Sequence, residues 1–135
     1  MKIRIISSRE EINSIRPNEK AVHLAFRASN VDFLNLLQKA PRLQMVQIPP
    51  SYHKTMSKSN EVFLEMQGIK LLEGDVWGHR KDIDEYFTVP DEALTAIKSM
   101  TKEGAAPDEI TKEVQRTTKL GSELIKFIAQ TEIAA

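Results

Sequence analysis

The feature that most narrows the fold is an alternation of short β-branched runs with segments of helical period, joined by connections of a few residues. Ile3-Arg4-Ile5-Ile6 reads as a first strand, and Ser8 with Glu11 three residues on is a capping-box pattern for a short helix. Pro17-Asn18 marks a turn before a second strand, Ala21-Val22-His23-Leu24-Ala25-Phe26. Ser29-Asn30 is a helix cap, followed by Val31, Phe33, Leu34, Leu36 and Leu37 at helical spacing and by Pro41 as a stop. The third strand is Leu43–Ile48, closed by Pro49-Pro50. One helix is predicted over Lys54–Gln67, with Met56, Val62, Phe63 and Met66 on its apolar face and Gly68 at its end. Ile69-Lys70-Leu71-Leu72 is the fourth strand and leads into Glu73-Gly74-Asp75-Val76-Trp77-Gly78.

Strands and helices in this order, on short connections, form a parallel sheet with crossover helices. The fold class is therefore α/β: a small parallel sheet of about four strands built from βα units, with a C-terminal helical, helix-turn-helix-like extension. The spacing of the strands is also within the range of leucine-rich-type repeats, but a small open sheet is the preferred reading.

The rhythm changes after residue 78. Residues 1–78 carry 11 basic and 8 acidic side chains, and residues 79–135 carry 8 and 11. Pro90-Asp91-Glu92 opens a helix with Leu94, Ile97 and Met100 as its stripe and Gly104 as its end. Pro107-Asp108-Glu109 opens a second, with Ile110 and Val114 apolar, and Leu120-Gly121-Ser122 separates it from a third over Glu123–Thr131. The chain divides into an α/β domain, 1–87, and a helical extension, 88–135.

The last two helices resemble a helix-turn-helix, although Val114 and Leu120 stand about one helical turn further apart than in its shortest form. If this unit binds nucleic acid, Ser122, Glu123 and Lys126 face the groove, and Lys112 and Lys119 meet phosphates. The extension is net acidic, which argues against DNA, yet residues 112–126 hold four basic and two acidic side chains. The other reading is a helical hairpin that packs its stripe on the sheet. If the crossovers all run on one side, the opposite face needs a cover, supplied by these helices or by a second subunit in a homo-oligomer.

Composition removes several classes. The chain has 135 residues, equal numbers of basic and acidic side chains (19 each) and no cysteine. Disulfides, thiolate metal sites and cysteine nucleophiles are excluded. No apolar run approaches the roughly 20 residues that cross a bilayer, so no membrane partner is expected. Lys2 and Arg4 interrupt the first apolar run, which is not a signal peptide. There is no G-x-x-x-x-G-K-[ST] loop, no G-x-G-x-x-G fingerprint and no G-x-S-x-G elbow, and the three histidines are scattered. The sequence implies no cofactor and no metal.

In open parallel sheets ligands bind at the carboxyl ends of the strands. The sequence places Ser7 after strand one, and Arg27, Ser29 and Asn30 after strand two. Tyr52 and His53 follow strand three, and Asp75, Trp77, His79 and Arg80 follow strand four. Arg27 and Arg80 suit a carboxylate or phosphate, and helix N-termini at Ser29-Asn30 and after Pro50 suit the same charge. Tyr52 or Trp77 is placed to stack on a planar group, and His53 or His79, oriented by Asp75, to move a proton. The favoured function is a small anion-binding protein or enzyme at this edge. The alternatives are a nucleic-acid-associated regulatory protein acting through the C-terminal unit, and an oligomerisation or scaffold module.

Several motifs also resemble a known family. They are Val22-His23-Leu24-Ala25-Phe26-Arg27, Asn30-Val31-Asp32-Phe33-Leu34, Gln47-Ile48-Pro49-Pro50-Ser51-Tyr52, Leu64-Glu65-Met66-Gln67-Gly68 and Leu72-Glu73-Gly74-Asp75-Val76-Trp77-Gly78-His79-Arg80. They are similar to an uncharacterised archaeal family of unknown function found largely in methanogens. The resemblance spans the chain and is most specific over residues 1–87. It implies a cytoplasmic protein with a small α/β domain, and no activity.

Overall fold

The computed structural model describes residues 1–76 and 85–134. Five strands, β1 (Lys2–Ile6), β2 (Ala21–Leu24), β3 (Met45–Ile48), β4 (Lys70–Glu73) and β5 (Tyr86–Thr88), form one sheet in the order β4-β3-β2-β1-β5. The first four are parallel, with Val22 level with Arg4, Val46 with Val22 and Leu71 with Val46. β5 is antiparallel to β1, with Phe87 opposite Ile3. It is the strand the sequence does not announce, because three residues are too few to show alternation.

Each crossover steps one strand in the same direction, so the crossover elements share a face. They are a 3₁₀ helix (Arg9–Ser14), α1 (Asn30–Lys39), α2 (Pro50–Lys54) and α3 (Lys58–Met66). Ile12, Phe33, Leu36 and Leu64 from these elements pack on Ile6, Val22, Leu24, Val46 and Ile48 of the sheet. The opposite face carries Ile3, Ile5, Ala21, Met45 and Leu72, and it is covered by α4 (Asp91–Lys102), α5 (Pro107–Gln115) and α6 (Ser122–Ala134). Ile97, Ile110, Val114, Leu124, Ile125 and Ile128 join that core. The result is three layers, helix–sheet–helix, and the C-terminal helices supply the cover that one-sided crossovers require.

Two local expectations are corrected. The helix expected over Lys54–Gln67 is two helices, because Ser57 caps a new one by accepting from the Asn60 N–H while Pro50 starts a separate turn. The capping box expected at Ser8 and Glu11 does not form: the Ser8 side chain makes no cap bond, and Glu11 takes the Ser7 N–H at 2.6 Å. A capping box is present at Ser29 and Asp32 instead. Gly68 ends α3 as expected, at φ +75°, a conformation that favours glycine.

Candidate functional site

Because the parallel strands never reverse their winding, no cleft opens at the carboxyl edge between diverging crossovers. Among the described residues, two hollows at this edge lie where a helix layer meets the strand ends, one lined by Arg27 and Tyr52 and the other by Asp75.

On the α1/α3 side, Arg27 follows β2 and Tyr52 lies in α2. The Arg27 guanidinium stands 5.1 Å from the centre of the Tyr52 ring and donates to the Thr55 hydroxyl. Stacking and a hydrogen bond together fix a planar cation that otherwise samples many rotamers. Both residues line a cavity of about 150 Å³, with Phe33, Thr55, Ser57 and Asn60. No acidic side chain lines it among the described residues.

Ser29 and Asn30 open α1, but the anion position there is filled from within the chain. Asp32 accepts from the Ser29 N–H at 2.8 Å and from its hydroxyl at 3.0 Å, and Arg9 Nε donates to it at 2.8 Å. Burial works to raise the Asp32 pKa, but the bonds from Arg9 and Ser29 outweigh it and hold the carboxyl below its ordinary range. A second anion at this helix end would meet like charge. Ser7 is held at the start of the 3₁₀ helix by Glu11.

His53 does not meet Asp75. Its Nδ1 lies 2.8 Å from Glu73 Oε2 and its Nε2 3.0 Å from Glu61 Oε1, so the ring bridges β4 and α3. The hydrogen bond with Glu73 is the main reason its pKa is raised, with Glu61 adding to it and burial opposing. With both nitrogens committed, the ring joins two carboxylates rather than offering a base to a ligand.

Asp75 lies on the other side of the sheet. Its Oδ1 is 3.6 Å from Nε2 of His23, a fully buried residue of β2, and it also accepts from the Val76 N–H at 2.8 Å. His23 Nδ1 is 2.9 Å from Oε1 of Gln47, equally buried on β3. This row was missed because His23 and Gln47 sit inside strands and read as core. The signal was available: a histidine and a glutamine each fall on a strand position whose neighbours two residues back, Ala21 and Met45, face the same core. Asp75 also lines a second cavity of about 350 Å³ with Phe87, Pro90, Thr117, Lys119 and Leu120, so the turn between α5 and α6 forms one wall. Trp77, His79 and Arg80 lie outside the described residues.

That turn is docked on the sheet. The Glu73 N–H donates to Glu123 Oε2 at 3.0 Å, and a Cβ on Gly121 would lie 3.6 Å from the Gly74 Cα. α6 buries Leu124, Ile125, Ile128 and Ala129. Ser122 is exposed, and Lys126 remains about 42% exposed while pairing with Asp108 at 3.1 Å. Lys112 and Lys119 are exposed. Among the described residues no group of histidine and carboxylate side chains is arranged to hold a metal, and no helix is long and apolar enough to cross a membrane.

Comparison with known proteins agrees with this two-part architecture. The N-terminal domain of a family of unknown function, DUF1699, matches residues 2–85, and the C-terminal HTH domain of the same family matches residues 92–130. No curated protein and no solved structure matches the chain. A sheet wound one strand at a time, covered on its second face by a trihelical unit that carries a helix-turn-helix, is thus the architecture of a chain that belongs to the DUF1699 family.

Proposed function

We propose that this protein binds a small anionic ligand at the carboxyl edge of its sheet, on the α1/α3 side. The observation that carries this reading is Arg27, held against Tyr52 at the wall of a cavity with no acidic lining residue among those described. A preorientated guanidinium loses little freedom when it takes an oxyanion.

The test is a thermal melt of the intact protein with inorganic phosphate, sulfate and acetate at matched ionic strength. At 100 times its dissociation constant a ligand adds about 2.7 kcal/mol, which raises the melting point of a domain this size by several degrees. The shift is expected to vanish in Arg27→Ala. A shift of equal size in that variant, or none with any anion, overturns the reading.

A second reading, association with nucleic acid, is favoured by the family's HTH description of residues 92–130. The buried stripe of α6 is not available to it. Leu124, Ile125 and Ile128 together hold about 5–9 kcal/mol of burial, comparable with the whole stability of a domain. Contact would therefore use what stands outside: Lys112, Lys119, Ser122 and Lys126. Three lysines on phosphates give a slope of log affinity on log salt near −3, by roughly 0.9 per phosphate. Binding to a duplex that lacks this dependence, or that survives removal of the three lysines, excludes this surface.

A further inference from the structure

The large apolar side chains that stand in solvent are gathered on one layer. Among the described residues they are Val31 and Leu34 of α1 and Val62 and Met66 of α3, from 42% exposed at Val62 to 78% at Met66. Both helices pack on the same face of the sheet. No such residue of α4, α5 or α6 is exposed among those described. Apolar surface collected on one face marks an interaction site, whereas single exposed residues need no explanation.

Charge is sparse on the same surface. The outward strip of α1 is Asn30, Val31, Leu34, Asn35 and Gln38, all exposed and all uncharged. Its acidic residue, Asp32, is buried and paired with Arg9, and Lys39 stands at its last position. Depletion of charge is the compositional mark of an interface core. On α3 the strip reads Lys58, Val62, Glu65 and Met66, at i, i+4, i+7 and i+8 and so along one side of the helix. Val62 therefore lies between a cation near the start of the helix and an anion near its end. Lys58 makes a long contact of 3.7 Å with Glu61, and Glu65 makes no ion pair among the described residues.

We infer that the outer faces of α1 and α3 form an isologous contact with a second copy of this chain. The two helices run in the same direction, because both cross between parallel strands. A two-fold axis lying across them sets each helix antiparallel to its own copy. Residues 58 and 65 are placed symmetrically about the middle of α3. Lys58 of one copy then meets Glu65 of the other, twice, with the two Val62 side chains between them. A two-fold contact requires a surface complementary to itself, and this order of charges supplies it. The uncharged strip of α1 meets its own copy without repulsion. The helices hold 10 and 9 residues, about 15 and 14 Å at 1.5 Å per residue, so the footprint is small and the dimer is weak and reversible rather than obligate.

The experiment is sedimentation equilibrium of the full chain over a wide range of protein concentration. A reversible monomer–dimer equilibrium in the micromolar range is expected. Leu34→Lys with Val62→Lys should abolish the dimer and leave the melting point of the monomer almost unchanged, because both positions are exposed. Glu65→Lys should weaken association about tenfold, since symmetry replaces two ion pairs by two lysine pairs. Adding Lys58→Glu to that variant should restore the dimer, and this exchange reads the antiparallel register even if the double lysine form does not fold. A chain that stays monomeric at every concentration overturns the inference. So does a dimer that survives Leu34→Lys with Val62→Lys, or a Glu65→Lys defect that Lys58→Glu leaves uncorrected.

Discussion

His23 Nδ1 and Gln47 Oε1 lie 2.9 Å apart on neighbouring strands, both fully buried, under the helices that cover the sheet. The Gln47 Nε2 group has no hydrogen-bond partner among the described residues, and a Cβ on Gly74 would lie 2.6 Å from it. The glutamine thus sets the space left for the chain as it leaves β4. Gly74→Ala is expected to cost about 1–3 kcal/mol, the range for overpacking a filled interior. In a Gln47→Ala background the same change should cost less than about 1 kcal/mol, since the clash is gone. Denaturant melts of the four proteins check this; additive losses refute it.

The His53 bridge makes part of the stability depend on pH. Its folded pKa is raised, mainly by the bond with Glu73, so the contribution is complete below the unfolded value of about 6.5. It is lost as pH rises through the folded value. His53→Gln should flatten the decline in melting temperature on the alkaline side of that pH and leave the acid side unchanged. A wild-type slope retained in the variant would place the titrating group elsewhere.

Asp32 has the opposite sign. Its carboxyl is held below the ordinary range, so the stability it contributes is present above the unfolded value of about 3.8 and is lost as pH falls through the folded one. Ser29→Ala is expected to cost about 1 kcal/mol by removing the cap of α1. Asp32→Asn should remove part of the acid-induced loss of stability, which a helicity-monitored acid titration will reveal.

The α6 dock depends on one side chain reaching the edge of β4. Glu123→Ala should destabilise by about 1 kcal/mol and speed hydrogen exchange at the Glu73 amide, while Glu123→Gln keeps an acceptor and much of the protection. Unchanged exchange in both variants would mean that the contact at 3.0 Å does not hold the turn in solution.

Four of the five strands and the starts of α1, α4 and α5 were legible because they rest on local chemistry. β-branched runs, the Ser29 cap, Pro90 and Pro107 before acidic first turns, and glycine stops at Gly68 and Gly104 all act within a few residues. What failed was non-local. β5 exists because Phe87 pairs with Ile3 across more than eighty positions, and three residues carry no pattern of their own. The helix over Lys54–Gln67 divided because Ser57 competes as a cap, and both halves keep apolar faces that read as one.

The candidate site divides in the same manner. That Arg27, Tyr52, His53 and Asp75 come together at one edge follows from strand–helix alternation, because every parallel strand ends on the same side. Which of them meet does not. Alternation along β2 and β3 puts His23 and Gln47 on the face beneath α4, α5 and α6, and the chain leaving β4 through Gly74 carries Asp75 to that same face, while Arg27 and Tyr52 meet on the other. His53 finds Glu73 and Glu61 instead of Asp75 because Glu73 is the last residue of β4 and faces α3, whereas the chain has left the strand before Asp75. The sequence by itself determined the α/β class, the parallel core and the presence of the C-terminal helices, because periodicity and capping are properties of neighbouring residues. Only the tertiary structure decided the one-way strand order, the docking of Gly121 and Glu123 on β4, and the pairing of Arg27 with a cavity that Asn60 lines. Those are contacts between segments far apart in the chain, fixed by how two cores share one sheet.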